Sequence, residues 1–237
     1  VQAGTQVIVL VPTTILAQQH FVTFCDRLHR YPVAIDVLSR FRTGSEQKEI
    51  LAKFSEGKID ILIGTHRVLS KDIVPKSLGL LIIDEEQRFG VGAKEKLRHL
   101  RVSIDTLTLT ATPIPRTLNF SLMGARDLSV IETPPRNRLP VQTRITEWNN
   151  DMVKEIIQRE LDRGGQIFFV SDRIADLTNY HAALVQLIHH LRCGIAHGQM
   201  ETERLEDVME KFIERKYDVL LATKIVESGL DIPNANT

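Results

Sequence analysis

Leu80–Gly90, LLIIDEEQRFG, sets residues able to do chemistry at the end of a run able to bury itself. Four consecutive aliphatics, Leu80 to Ile83, lead directly into Asp84, Glu85 and Glu86. A continuous apolar run bounded by turn signals is the pattern of a strand covered on both faces. Such a strand can end in three carboxylates only if they emerge at its tip, in solvent or facing a cation. In open α/β sheets the carboxyl ends of the strands are where ligands bind. The stretch therefore reads as a Walker B element. Asp84 would hold Mg²⁺, which takes one or two carboxylates together with phosphate oxygens, and Glu85 would orient and deprotonate an attacking water. The competing reading is an acidic helix start set against the helix dipole.

Polar clusters close the other candidate strands as well. Pro12-Thr13-Thr14, Gly64-Thr65-His66 and Thr110-Ala111-Thr112-Pro113 do so in the first half of the chain. Ser171-Asp172-Arg173, His197-Gly198-Gln199 and Thr223-Lys224 do so in the second. Hydroxyls, small residues and exposed amides suit phosphate oxygens, whether of a nucleotide or of a nucleic-acid backbone. Taken one at a time, each cluster can equally be a helix cap, where Ser, Thr and Asp are favoured for reasons unrelated to ligands.

The elements that must position these tips follow from hydrophobic periodicity. Strands are predicted at Gln6–Val11, Ala34–Leu38, Asp60–Gly64, Leu80–Ile83 and Thr106–Thr110, with helices at Ile15–Arg30, Ser45–Glu56 and Ala93–Arg101. Strand–helix alternation with short connections implies a parallel sheet with helices on both faces. Thr133–Pro140 holds three prolines and two arginines, which suit neither a helix nor a central strand, and is the linker candidate. Beyond it come strands at Val141–Thr146, Gln166–Val170, Gly194–His197 and Val219–Ala222, with helices at Asp151–Asp162, Ile174–Leu191 and Glu201–Arg215. Ala52–Thr65 aligns without gaps on Glu210–Thr223 with seven of fourteen positions identical, which points to two lobes of related architecture.

Bulk properties bound the rest. The 237 residues suffice for one large domain or two smaller ones, and 43% hydrophobic with 25% charged is ordinary for a globular chain. Thirty basic residues balance thirty acidic ones, so contact with nucleic acid must come from a local arrangement and not from an overall basic field. Cys25 and Cys193 suggest neither a disulfide framework nor zinc, and His20, His181, His189 and His190 lack metal spacing and read as surface or helix residues. No run approaches the ~18 apolar residues of a membrane span, so the expectation is a cytoplasmic protein.

VPTT, GTH, DEEQ, TATPIPRTL and TKIVESGLDIP, in this order, resemble motifs Ia, Ib, II, III and V of superfamily 2 helicases and translocases. More narrowly, DEEQRFGV, SRFRT, TPPRNRLPVQT and HGQM look like the motor of bacterial transcription-repair coupling factors, with RecG-type fork-remodelling helicases the nearest relatives. The resemblance implies two tandem RecA-like lobes, 1–132 and 141–237, joined by 133–140. It also implies ATP and Mg²⁺ as cofactors and double-stranded DNA as track. RNA polymerase and excision-repair proteins would be partners through other domains.

By the same resemblance Asp84 is the magnesium ligand and Glu85 the catalytic base. Gln87, Gly229 and Asp231 sit at the nucleotide, and Thr110 and Thr112 couple nucleotide state to lobe closure. Pro12, Thr13, Thr14, Gly64, Thr65 and His66 track the DNA backbone from the first lobe; Ser171, His197, Gly198 and Thr223 do so from the second. Arg88, Lys94, Lys96, Arg98 and Arg101 read as a solvated basic face. No GxxxxGK[ST] occurs, and the arginines of motif VI would lie beyond Thr237. Both ends look like cuts through a larger protein, and the expectation is that the chain alone is not an active ATPase.

Overall fold

The computed structural model describes residues 1–40, 42–97, 104–111, 127–133, 141–223 and 230–237, and the backbone of 98–100. Two compact units emerge, each α/β with an all-parallel sheet. One takes in Val1–Ala111, Gln199–Glu210 and the described part of Val226–Ile232; the other takes in the remaining described residues.

In the first unit β1 (Gln6–Leu10), β2 (Ile35–Leu38), β3 (Ile61–Gly64), β4 (Leu78–Asp84) and β5 (Asp105–Leu109) are ordered β2-β3-β1-β4-β5. β1 is central and wholly buried, with Val9 level with Ile63 on one side and Ile82 on the other. Successive side chains of a strand point to opposite faces, and here they feed two separate cores. Val7, Val9, Val37, Ile61 and Ile63 pack with Leu16 and Ala17 of α1 (Thr14–Leu28). Ile8, Leu10, Leu38, Leu62, Leu81 and Ile83 pack with Ile50 and Phe54 of α2 (Gly44–Ser55) and with Leu97 of α3 (Val91–Leu100).

Local chemistry sets the helix starts. Thr13 caps α1 by accepting from the Leu16 amide, and Thr43 with Glu46 forms a reciprocal capping box at α2. β5 is an edge strand of this sheet, as β2 is at the other side, and its alternating burial leaves Leu107 and Leu109 exposed.

In the second unit β6 (Ile167–Val170), β7 (Cys193–Ala196) and β8 (Val219–Ala222) are ordered β6-β8-β7. One face is covered by Ile157 of α4 (Asn150–Asp162) and by Leu177 and Leu184 of α5 (Ile174–Leu187). On the other, the Phe168 ring lies 5.1 Å from that of Phe212, on α6 (Thr202–Ile213).

The internal similarity seen in sequence reappears as matched hydrogen bonds. Gln6, buried at the start of β1, donates from Nε2 to the carbonyls of Phe54 (2.8 Å) and Ile59 (2.7 Å). Gln166, buried just before β6, donates to those of Phe212 (2.6 Å) and Tyr217 (2.8 Å), the residues aligned with Phe54 and Ile59. Asp60 accepts from the Ala34 amide as Asp218 does from that of Arg192. Each amide thus ties the turn between a helix and its following strand to the strand paired beside it.

Two predicted elements are corrected. Val141–Thr146 forms no strand: among the described residues it has no ladder partner, and Val141 and Ile145 are 88% and 100% exposed. Its alternation of apolar and polar residues satisfies β propensity, but a strand also needs a neighbour for its backbone groups. α5 stops at Leu187 and not Leu191, because Ile188 turns extended and His190 adopts a left-handed conformation (φ 67°), which lets Ile188 and Leu191 enter the core. The remaining predicted elements agree within one or two residues.

Removing the amide clasps should destabilise the chain. Gln6→Leu would strand the Ile59 carbonyl and the Ser77 amide, which donates to Gln6 Oε1, and would leave the Phe54 carbonyl only the Gly57 amide. Gln166→Leu strands the Tyr217 carbonyl and leaves that of Phe212 only the Arg215 amide. Each should lower unfolding free energy by about 1–3 kcal/mol, Gln6→Leu more than Gln166→Leu. Urea denaturation checks this, and unchanged midpoints would refute the clasp.

Candidate functional site

Parallel pairing brings the strand tips of the first unit to one rim. Val11 donates from its amide to the Gly64 carbonyl (3.0 Å), and Glu85 donates to that of Leu109 (2.9 Å), so the rim is stitched one residue past the strands. β4 delivers Asp84 as its last residue, and the chain then breaks at Glu85 into a short 3-10 turn, Glu86–Arg88.

Glu85 is the pivot of this rim. Its backbone is left-handed (φ 49°, ψ 51°), a conformation that costs a residue other than glycine about 1–3 kcal/mol and clusters at functional sites. Its side chain is only 3% exposed, yet its carboxylate is well supplied with donors. Gln87 Nε2 and Thr110 Oγ1 (3.2 Å) donate to Oε2, and the Ala111 amide (3.3 Å) donates to Oε1. Thr110 Oγ1 also lies 3.4 Å from Gln87 Oε1. A buried carboxylate with three donors is fixed in direction, and with about four lone-pair sites it keeps capacity for one more. Glu85, Gln87 and Thr110, predicted separately, are thus one hydrogen-bonded group.

Asp84 stands beside it, about one-fifth exposed, with Oδ2 3.1 Å from His20 Nε2. Sequence reasoning placed His20 among surface or helix residues; it does lie on α1, and the contact with Asp84 is a partner that reading did not include. Among the described residues no group of three His, Cys, Asp or Glu side chains is arranged to hold a metal. A single half-buried carboxylate with hard oxygen donors suits Mg²⁺, which draws its other ligands from water and phosphate.

The remaining predicted residues divide by environment. Thr13 is the α1 cap and Thr14 is buried beneath it, so both have structural duties. Gly64 is required by space: a Cβ there would lie 2.5 Å from the Leu38 carbonyl oxygen and 2.6 Å from Val68 Cγ1. Pro12 follows β1, and Thr65 heads the short turn His66–Leu69 without a side-chain capping bond. Next to it Arg67 pairs with Asp72 through both guanidinium nitrogens (2.8 and 2.6 Å), which raises the Arg67 pKa and holds the Asp72 carboxyl below its usual range.

In the second unit Ser171 follows β6 and bonds the Arg173 backbone, His197 and exposed Gly198 follow β7, and Thr223 follows β8, its amide donating to the Ala196 carbonyl. These lie at the carboxyl edge of their own sheet. Asp231 groups with the first unit, where its carbonyl and amide meet the Gln19 side chain. Lys94 and Lys96 of α3 are exposed, as a solvated face requires. Thr112, Gly229, Phe41, Arg101 and 134–140 lie outside the described residues, as does the Arg98 side chain.

Comparison with known proteins gives this geometry a context. The model of the DEAD/DEAH box helicase family matches residues 1–120, and that of the helicase conserved C-terminal domain matches 148–237. The chain is similar to the transcription-repair-coupling factor of Bacillus subtilis (strain 168), 55% identical over 234 residues, covering 99% of this chain and 20% of that protein. It is 52% identical over 237 residues to the protein of that name from Staphylococcus aureus (strain USA300), again over 20% of its length. The chain therefore spans about a fifth of these curated relatives. Among solved structures, that of RecG bound to a three-way DNA junction superposes with a TM-score of 0.77 at 35% identity, covering 98% of this chain and 31% of that one. S. cerevisiae Dbp5 bound to RNA and ADP BeF3 shares the fold at 14% identity and a TM-score of 0.64, covering 98% of this chain and 61% of that one.

Gly64 separates packing from ligand contact at the rim. Gly64→Ala should lower stability by about 1–3 kcal/mol through overpacking, with no ligand present. Thermal unfolding measures it; a wild-type midpoint would show that the glycine serves something other than space.

Proposed function

We propose, for a chain that belongs to the DEAD/DEAH box helicase family and carries the helicase C-terminal domain as well, that it is the central part of an ATP-driven motor. The motor walks on double-stranded DNA within a transcription-repair coupling factor. The observation that carries this reading is the Glu85 carboxylate, buried next to Asp84 at the rim and oriented by Gln87, Thr110 and the Ala111 amide.

Asp84 would hold Mg²⁺, which when bound neutralises charge developing on the transferred phosphoryl group. Glu85 accepts the proton of the attacking water, and its fixed direction lowers the reorganisation needed at that step. Thr110 and Gln87 share the Glu85 carboxylate, so a change in occupancy at the nucleotide passes directly into the segment after β5; Thr112, in that segment, continues the coupling. Gly229 and Asp231 approach the nucleotide. Pro12, Thr13, Thr14, Gly64, Thr65 and His66 would grip the DNA backbone from one lobe (residues 1–132), and Ser171, His197, Gly198 and Thr223 from the other (141–237). Thr13, Thr14 and Gly64 would do so chiefly through the backbone shape they maintain, since their side-chain positions already have structural duties.

In the full-length protein the motor would displace stalled RNA polymerase and recruit excision repair through domains outside these 237 residues, in the cytoplasm. No helix among the described residues is long and apolar enough to cross a membrane. A RecG-like role on branched DNA is the second reading, favoured by the 0.77 superposition. The two separate on whether a fork or a linear duplex stimulates turnover.

The test is ATP hydrolysis with and without duplex DNA, on the 237-residue chain and on the full-length protein. The chain contains no GxxxxGK[ST] and should be inert, whereas the full-length protein should turn over and be stimulated by duplex. Glu85→Gln should silence it, by roughly 100-fold or more. Thr110→Val, which removes one donor from Glu85, should slow it about tenfold and lower stability by about 1–3 kcal/mol. An inert full-length protein would leave a nucleic-acid-binding scaffold as the better description.

A further inference from the structure

We propose that His20 is a positioning residue for Asp84, holding its carboxylate in the orientation that receives a divalent cation. The assignment rests on reading Asp84 as the magnesium ligand. His20 Nε2 lies 3.1 Å from Asp84 Oδ2 although 64 residues separate them in sequence. A carboxylate can only accept, so at this contact His20 carries its hydrogen on Nε2 and donates it.

The ring is well placed to do so. α1 is anchored at the rim end by the Thr13 cap and by buried Thr14, Leu16 and Ala17. One and a half turns later His20 reaches the β4 tip, with the Phe24 ring 6.2 Å away on the same helix face, one turn on. The histidine is about one-quarter exposed and the aspartate about one-fifth, so water screens the contact only in part.

The bond does two things. It restrains rotation of the Asp84 carboxyl group, engaging one oxygen and leaving the other to face a ligand. It also places a donor beside a run of three consecutive acids, Asp84 to Glu86, where neighbouring negative charge would otherwise turn the carboxylates away from one another. Residues that hydrogen-bond a metal's own ligands typically change metal affinity or activity by about 10–100-fold when removed.

The experiment measures metal affinity directly. Mn²⁺ is titrated into the full-length protein with a non-hydrolysable ATP analogue, and free Mn²⁺ is followed by its paramagnetic resonance signal. His20→Leu should weaken Mn²⁺ binding about tenfold. His20→Gln, whose Nε2 can reach the same place, should recover most of it, while His20→Asn, which is shorter, should behave like the leucine variant. Circular dichroism confirms that each variant is folded, and if His20→Leu is not, the Gln and Asn pair carries the comparison. Wild-type affinity in His20→Asn, or affinity in His20→Gln as weak as in His20→Asn, overturns the positioning role. Asp84→Asn runs alongside: if it too leaves Mn²⁺ binding unchanged, Asp84 is not the ligand and both readings fail; if it alone weakens binding, only the role of His20 falls.

Discussion

β4 runs in register between β1 and β5, with Ile83 level with Leu10 on one side and Thr108 on the other. Its backbone is paired on both edges, and Leu81 and Ile83 are buried beneath α2 and α3. That burial holds until Asp84, and there the geometry changes within one residue: the next backbone is left-handed, and a carboxylate is buried only because three donors meet it. Without the aliphatic run the acids would have no fixed origin. Without β5 beside it, Glu85 would lose the Leu109 carbonyl, the Thr110 hydroxyl and the Ala111 amide together. A single strand pairing thus underlies both the fold of the first unit and the composition of its rim.

Much of this was legible beforehand. Val7–Leu10 and Leu80–Ile83 are apolar without alternation because both faces of the sheet are covered, and that pattern has one simple reading. The acids at the end of such a run had few places to go. The grouping of Glu85 with Gln87 and Thr110 was harder, since it depends on β5 being the neighbour of β4, and only separate roles for each could be read. His20 was not legible. A histidine on a helix face carries no local sign of a partner 64 positions away, and the contact exists only once the fold brings α1 to the tip of β4. Val141–Thr146 failed for the opposite reason: its local signal was good, but strand formation is decided by a neighbour.

The two sheets are built to one plan to a degree that sequence identity only hinted at. Phe54 and Phe212, Asp60 and Asp218, Gly57 and Arg215 occupy equivalent places, the last pair both with positive φ. Gln6 and Gln166 lie outside the aligned segments altogether, yet do the same work in each unit. Equivalent scaffolds with different tips explain how one half can present paired carboxylates while the other presents Ser171, His197 and Thr223.

The two glutamine clasps sit where β1 and β6 begin, whereas Asp84, Glu85 and Thr110 sit where β4 and β5 end. Each strand therefore separates the two demands on it by its own length. Substitutions at the rim can alter what the protein grips or hydrolyses without loosening the amides that hold the sheets, and drift at the clasped end leaves the chemistry in place. Such a division makes the scaffold evolvable: its outward face can be rewritten for a new track or a new trigger while heritable foldability is kept at the opposite end.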